Sequence, residues 1–284
     1  MTLASGITLD DTSGISFIEV DNDHATARIS LYGGHVVSFI PKSDNTERLW
    51  LSPHAHMDGK KPIRGGVPVC WPWFSDDHGR DKGALPSHGF LRSQMWKIAQ
   101  SEASPEGTRI VLCPAFTRAD GFEHDSDVQL TVTVGRSLTI SLTTTNTGVA
   151  PFTFNAALHS YFYVPDIHHT SITGIESDYT DKNDNWAVKP APSPYLIEGE
   201  VDRIHSGSDK TVTVNIDASP FTAVHHANND SVVVWTPWQG AASITDMDAF
   251  GFVHMICIET AVTKGHTLAA GASHSLTQTI EPLH

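Results

Sequence analysis

Long apolar runs are missing from this sequence. No stretch approaches the ~18 consecutive apolar residues of a membrane-spanning helix, so no span is expected. The opening MTLASGITLDDTSG lacks the basic and then apolar segments of a secretory leader. Cysteine is scarce: Cys70, Cys113 and Cys257 are the whole set. An odd, sparse count argues against a disulfide framework and suits a reducing compartment, so a cytoplasmic protein is expected. Positive charge is also short. With 18 Lys and Arg against 32 Asp and Glu, the 284-residue chain carries a net charge of −14. That excludes a broad surface for nucleic acid or anionic membrane. An anionic small molecule can bind only where local arginines override the global field.

Motif absences narrow the chemistry further. There is no GxxxxGK[ST] and no GxGxxG, so those nucleotide-cradling loops are lacking. No GxSxG marks a serine hydrolase elbow. Histidine is plentiful, with His54 and His56 one residue apart and adjacent pairs at His168-His169 and His225-His226. No CxxC, HExxH or fixed third ligand accompanies them, so neither a metal nor another cofactor is expected. No amphipathic helix of four turns, no repeat and no linker is evident.

What remains reads as β-structure. DVQLTVTV (127–134) places Val128, Leu130, Val132 and Val134 on one face, and SLTISLTTT (137–145) does the same with Leu138, Ile140 and Leu142. Gly135-Arg136 between them signals a tight hairpin. Similar Val-, Ile- and Thr-rich stretches recur along the chain, separated by Gly, Pro, Asn or Asp. The Asp-, Asn- and Pro-rich stretch 178–206 reads as loops. An all-β fold is therefore expected, a large antiparallel β-sandwich forming one domain over 1–284, with 1–14 loosely ordered.

Several residues stand out chemically, each with a plainer alternative. His159 lies in the apolar, aromatic NAALHSYFYV, where a core histidine bonded to a carbonyl is the simple reading. Glu259 lies in HMICIET, whose two faces both look buried. A carboxylate there is costly unless paired or functional, and burial would raise its pKa toward that of a useful general base. His88 and Arg92 flank Gly89 in LPSHGFLRSQMW, otherwise a turn entering a strand. Asp202 sits beside Arg203, a local ion pair in the plain reading. Trp235 and Trp238 straddle Pro237 and are either core or an apolar floor for a sugar ring. Arg64 precedes two glycines and the aromatic run PIRGGVPVCWPWFS (62–75), which is either a core corner or a pocket wall.

The ordered set YGGHVVSFIP, PIRGGVPVCWPWFS, HGFLR, NAALHSYFYV, VDRI and CIET resembles the hexose-6-phosphate mutarotases, the glucose-6-phosphate 1-epimerases of the aldose 1-epimerase superfamily. The resemblance covers about residues 15–281. PIRGG-x-P followed by the aromatic run and HGF-x-R points to the phosphosugar branch. The resemblance implies the supersandwich of galactose mutarotase with its site in a concave sheet face. It implies an isomerase that interconverts the α and β anomers of a hexose 6-phosphate, most simply glucose 6-phosphate, as a monomer acting on a small sugar phosphate. Glu259 would be the base at the C1 hydroxyl and His159 the acid at the ring oxygen. Asp202 would accept sugar hydroxyls, His88 would touch substrate less directly, and Arg64 and Arg92 would clamp the phosphate. Glycines after Arg64 would admit a ligand, and Trp71, Trp73 and Phe74 would wall the pocket. Ser87 departs from a family position that is often Gln. A mutarotase of unphosphorylated aldoses and a non-catalytic sugar-binding module of the same fold are the alternatives.

Overall fold

Alternation of apolar and hydroxyl residues builds most of the molecule. The structure, a computed structural model, describes residues 3–12, 14–207 and 210–283. The strands Ser126–Gly135 and Leu138–Asn146 pair antiparallel as a hairpin. Leu138, Ile140 and Leu142 are buried, while Thr139, Ser141 and Thr143 form hydroxyl pairs with Thr279, Thr277 and Ser275 on the outer face at 2.8–2.9 Å. Each such pair adds ~0.2–1 kcal/mol, against ~1.5–3 kcal/mol for each buried Leu or Ile, so the inner face dominates the stability of this region.

Three antiparallel sheets result. The first is a four-stranded meander from Ile7 to Pro41. The second, eight-stranded, runs through Ala187–Lys189, Tyr179–Asp181, Val201–His205, Ser231–Thr236, Met255–Leu268, Phe152–Leu158 and Val69–Cys70, with Tyr161–Tyr163 also paired to Met255–Leu268. The third has nine strands, with Ser273–Pro282 near its middle and Trp96–Ser104 at one edge. A continuous apolar core includes Val132, Ile140 and Leu276 of the nine-stranded sheet and Val234, Ile256 and Ile258 of the eight-stranded one. Among the described residues helix is confined to short 3-10 turns such as Leu91–Ser93 and Trp238–Ser243. Among the described residues no helix is long and apolar enough to cross a membrane.

Two expectations need correction. Within the segment 1–14, Ile7–Asp10 is a strand paired to Phe17–Asp21, and Ile7 is buried in the core. The stretch 178–206 holds four short strands, Tyr179–Asp181, Ala187–Lys189, Tyr195–Leu196 and Val201–His205. They are two to five residues long and rich in polar groups, too short for alternation to show in the sequence.

Candidate active site

Strand register creates the site. Leu158 pairs with Thr260 on one side of His159, and Tyr161 pairs with Cys257 on the other. Both pairs belong to one antiparallel register, which places His159 opposite Glu259. On the far side of Glu259 the register brings in Val233, and Trp235 faces Cys257. Asp202 then lies opposite Trp235. Alternation sends His159, Tyr161, Glu259, Val233 and Trp235 to one face of the sheet. There they line a cavity of about 270 Å³ with Asp202, His88, Arg64 and Arg92. All seven residues singled out for catalysis or substrate contact thus meet in one place. A larger groove of about 470 Å³ near His24, Lys42 and Arg136 is formed by surface residues, and cavity size alone would not have located the site.

His159 Nδ1 stands 3.4 Å from Glu259 Oε1, with side chains 10% and 2% exposed. Among the described residues neither His159 Nδ1 nor Glu259 Oε2 has a hydrogen-bond partner. Burial lowers the His159 pKa well below the usual histidine value, and Arg92, Arg64 and Lys182 lower it further. Burial raises the Glu259 pKa well above the usual carboxylate value, and Asp202 adds to the rise. Both groups are therefore driven toward their neutral forms. His159 stacks on Tyr161 with ring centres 4.9 Å apart and nearly parallel planes, and Trp235 meets both rings edge-on.

The cations differ in how far they are already compensated. Arg64 Nε donates to Asp246 Oδ1 at 3.2 Å and Nη1 donates to the Tyr161 hydroxyl at 3.1 Å. Lys182 Nζ donates to Asp202 Oδ2 at 2.8 Å. Arg92 Nη2 donates to the Ser87 carbonyl at 2.7 Å, its buried Nε has no partner, and no described carboxylate lies within ion-pair distance of it. His88 takes the left-handed backbone (φ 62°), and its Nδ1 accepts from the Ser75 amide at 3.2 Å. Burial, then Arg92, holds His88 well below the usual histidine pKa.

The glycines and aromatics of 62–75 serve the fold more than the ligand. Gly65 and Gly66 have φ of 105° and 60°, and a Cβ there would come 2.4 Å from the Trp50 carbonyl oxygen and 2.3 Å from that of Val36. They admit neighbouring protein backbone, which corrects the expectation that they admit a ligand. Trp71 is fully buried against Phe90 and Phe122, and Trp73 Nε1 donates to the Pro86 carbonyl at 2.8 Å. Of the three expected wall residues only Phe74 reaches the cavity. Trp238 packs with His168 and Phe252 away from it. Arg203 does not pair with Asp202 but lies over Tyr179 and Tyr195.

Tyr161, Lys182 and Asp246 were not anticipated. Tyr161 was legible, two residues beyond His159 on the same strand face. Lys182 and Asp246 follow no pattern, because each sits in a turn positioned by tertiary contacts. The histidine pairs separate: His225 faces Glu281 at 2.7 Å, while buried His226 bonds to Thr260 on another strand. Among the described residues no group of three or more His, Cys, Asp or Glu is placed to hold a metal ion.

Known proteins resemble this chain in sequence and in fold. The curated relatives include proteins named "Putative glucose-6-phosphate 1-epimerase" from Escherichia coli K12, 30% identical over 257 residues (87% of this chain, 83% of that one), and from Cenchrus ciliaris, 33% identical over 265 residues (86% and 78%). Among solved structures, one named as a putative mutarotase from Salmonella typhimurium superposes with a TM-score of 0.89 at 25% identity, covering 99% of this chain and 94% of that one. A galactose mutarotase-like protein from Lactobacillus casei shares the fold, with a TM-score of 0.69 at 16% identity over 93% of this chain and 99% of that one. The Aldose 1-epimerase family pattern matches residues 16–281, and the chain belongs to that family of sugar mutarotases.

Proposed function

We propose that the protein interconverts the α and β anomers of a hexose 6-phosphate, glucose 6-phosphate in the simplest case. The observation that carries the reading is the His159–Glu259 pair, 3.4 Å apart and buried, with unpartnered polar atoms in a cavity that also holds Arg92, which no described carboxylate pairs with. Ring opening needs one base at the C1 hydroxyl and one acid at the ring oxygen. Glu259 takes the C1 hydroxyl proton as the C1–O5 bond breaks, and His159 protonates O5. Rotation about C1–C2 and reclosure with the proton transfers reversed yield the other anomer. Asp202 accepts sugar hydroxyls, Trp235 and Tyr161 supply aromatic surface, and His88 borders the ring. Arg92 and Arg64 meet the phosphate dianion, which a chain of charge −14 attracts only through such a local cluster.

One observation favours a second reading, a mutarotase of unphosphorylated aldoses. Arg64 already has Asp246 as partner and Lys182 has Asp202, so two of the three cations are compensated. Polarimetry of freshly dissolved α-glucose and of freshly generated α-glucose 6-phosphate, with and without protein, separates the two. Faster protein-dependent equilibration of the phosphosugar supports the first reading. Equal acceleration of both sugars supports the second.

A further inference from the structure

A phosphosugar entering this cavity meets an acid in the wrong protonation state. His159 is to deliver a proton to O5, yet burial and three cations favour its neutral form. We propose that Lys182 joins Arg64 and Arg92 as a third phosphate-reading residue, and that the phosphate bound by this cluster converts His159 to its protonated, catalytically active form. The inference rests on the phosphosugar reading above and deepens it.

The geometry supports the coupling. Lys182 lies in the turn after Tyr179–Asp181, where its amide donates to the Asp202 carbonyl at 3.0 Å. Its ammonium reaches into the cavity beside Asp202, with the side chain 21% exposed. Arg64, Arg92 and Lys182 line the cavity with His159 from three separate segments of the chain. The other titratable neighbours in the cavity are His88, Tyr161, Asp202 and Glu259. Of these, His88 is itself held neutral, and Tyr161 is raised well above its ordinary range, first by burial. The three cations are therefore the positive groups that oppose a charge on His159.

A dianion on those cations cancels the field they exert at the imidazole. Arg92, Arg64 and Lys182 each disfavour a charge on His159, so cancelling them favours a proton on the imidazole. The sugar works in the opposite sense on Glu259. Its hydroxyls engage Asp202, whose charge disfavours the Glu259 carboxylate, and its C1 hydroxyl donates to Glu259 directly. Phosphate thus prepares the acid and the sugar prepares the base. In the chemical step the O1 proton passes to the carboxylate, O1=C1 forms as C1–O5 breaks, and O5 takes the imidazolium proton. Reclosure returns both protons, and nothing is consumed.

Inorganic phosphate is the probe. The His159 ring, assigned with His159→Asn, would be titrated by NMR in the full-length protein, with and without phosphate at a concentration shown by calorimetry to saturate. Chloride at matched ionic strength serves as control. The expected result is an upward displacement of the His159 midpoint by phosphate and not by chloride. Protein-dependent mutarotation of free α-glucose, corrected for the same phosphate without protein, should rise saturably, by up to about tenfold for each tenfold gain in protonated fraction. Lys182→Met should weaken phosphate binding about tenfold, with Lys182→Arg restoring part of it. Phosphate that binds but leaves both the midpoint and the glucose rate unmoved overturns the coupling while the phosphosugar reading stands. Unchanged phosphate affinity in Lys182→Met removes Lys182 from the cluster. A protein that binds no phosphate and accelerates both sugars equally overturns both.

Discussion

Ser160 donates a hydrogen bond to Gln278 Oε1 across the two large sheets, directly behind His159. Gln278 Nε2 in turn donates to the Ile258 carbonyl at 3.2 Å and to Thr260 Oγ1 at 2.8 Å. Residues 160 and 260 follow His159 and Glu259 by one position, so their side chains point away from the cavity into the core. One glutamine therefore ties together the backs of both candidate catalytic strands. Gln278 is fully buried, and its loss removes the acceptor of the Ser160 hydroxyl, whereas Thr260 keeps His226. Gln278→Leu is expected to destabilise the fold by about 1–3 kcal/mol for each group left unpaired. It should lower kcat more than it raises KM, because it loosens the spacing of the proton-transfer pair and leaves Arg64 and Arg92 in place. Denaturant melts together with steady-state kinetics test this. A destabilised variant with wild-type kcat would make the bridge purely structural.

His159 and Glu259 themselves give a direct test. Glu259→Gln keeps size and removes the base, and His159→Asn removes the titrating group. Each should lower kcat by ~10²–10⁴, the span usual for loss of a general acid or base. Both substitutions replace a group driven toward neutrality by a neutral one, so folding should survive. Circular dichroism would establish the fold before polarimetry. A folded variant keeping a third or more of the wild-type rate would remove that residue from the proton-transfer step.

The limits of the sequence are visible in these same residues. Alternation in 127–145 predicts the hairpin of the nine-stranded sheet, because one face is wholly apolar and the other hydroxyl-rich. Alternation also places Glu259 on the same face as Cys257. It cannot place His159 opposite Glu259, because register depends on a partner strand about a hundred residues away. The run 62–75 was ambiguous for a related reason. Trp71 and Trp73 look alike in sequence to pocket aromatics, and only packing against Phe90, Phe122 and Pro86 commits them to the core. Lys182 lay hidden in DKNDNW, a polar turn with no periodicity to mark its one inward side chain.

The two arginines should separate in experiment. Arg92 has no carboxylate partner among the described residues, whereas Arg64 is shared among Asp246, Tyr161 and the cavity. Arg92→Ala should weaken glucose 6-phosphate by about tenfold to a hundredfold in kcat/KM, the equivalent of one charge-assisted contact. Its effect on free glucose should be much smaller. Arg64→Ala should harm both sugars, because it also releases Tyr161 and leaves the Asp246 carboxylate, only 12% exposed, without its cation. Equal fractional losses on the two sugars in Arg92→Ala would mean that Arg92 shapes the pocket without reading phosphate.

His35 offers a test of stability that bypasses the chemistry. It is fully buried, its Nε2 lies 2.7 Å from the Gly65 carbonyl oxygen, and it thereby steadies the turn that follows Arg64. Burial lowers its pKa from 6.5 to about 4. The unfolded chain therefore binds a proton at His35 as pH falls through 6.5, while the folded chain resists until about 4. Protons bound to the unfolded state alone draw the equilibrium toward it, so stability falls as pH drops through this window and levels off below it. A displacement of this size corresponds to roughly 3 kcal/mol. His35→Asn retains a side-chain donor toward Gly65 but does not titrate, so it should be the less stable protein at pH 7 and lose less on acidification. Urea melts of both proteins at pH 7 and pH 4.5 measure the difference. Parallel losses in the two proteins would show that other groups, and not His35, govern acid sensitivity in this window.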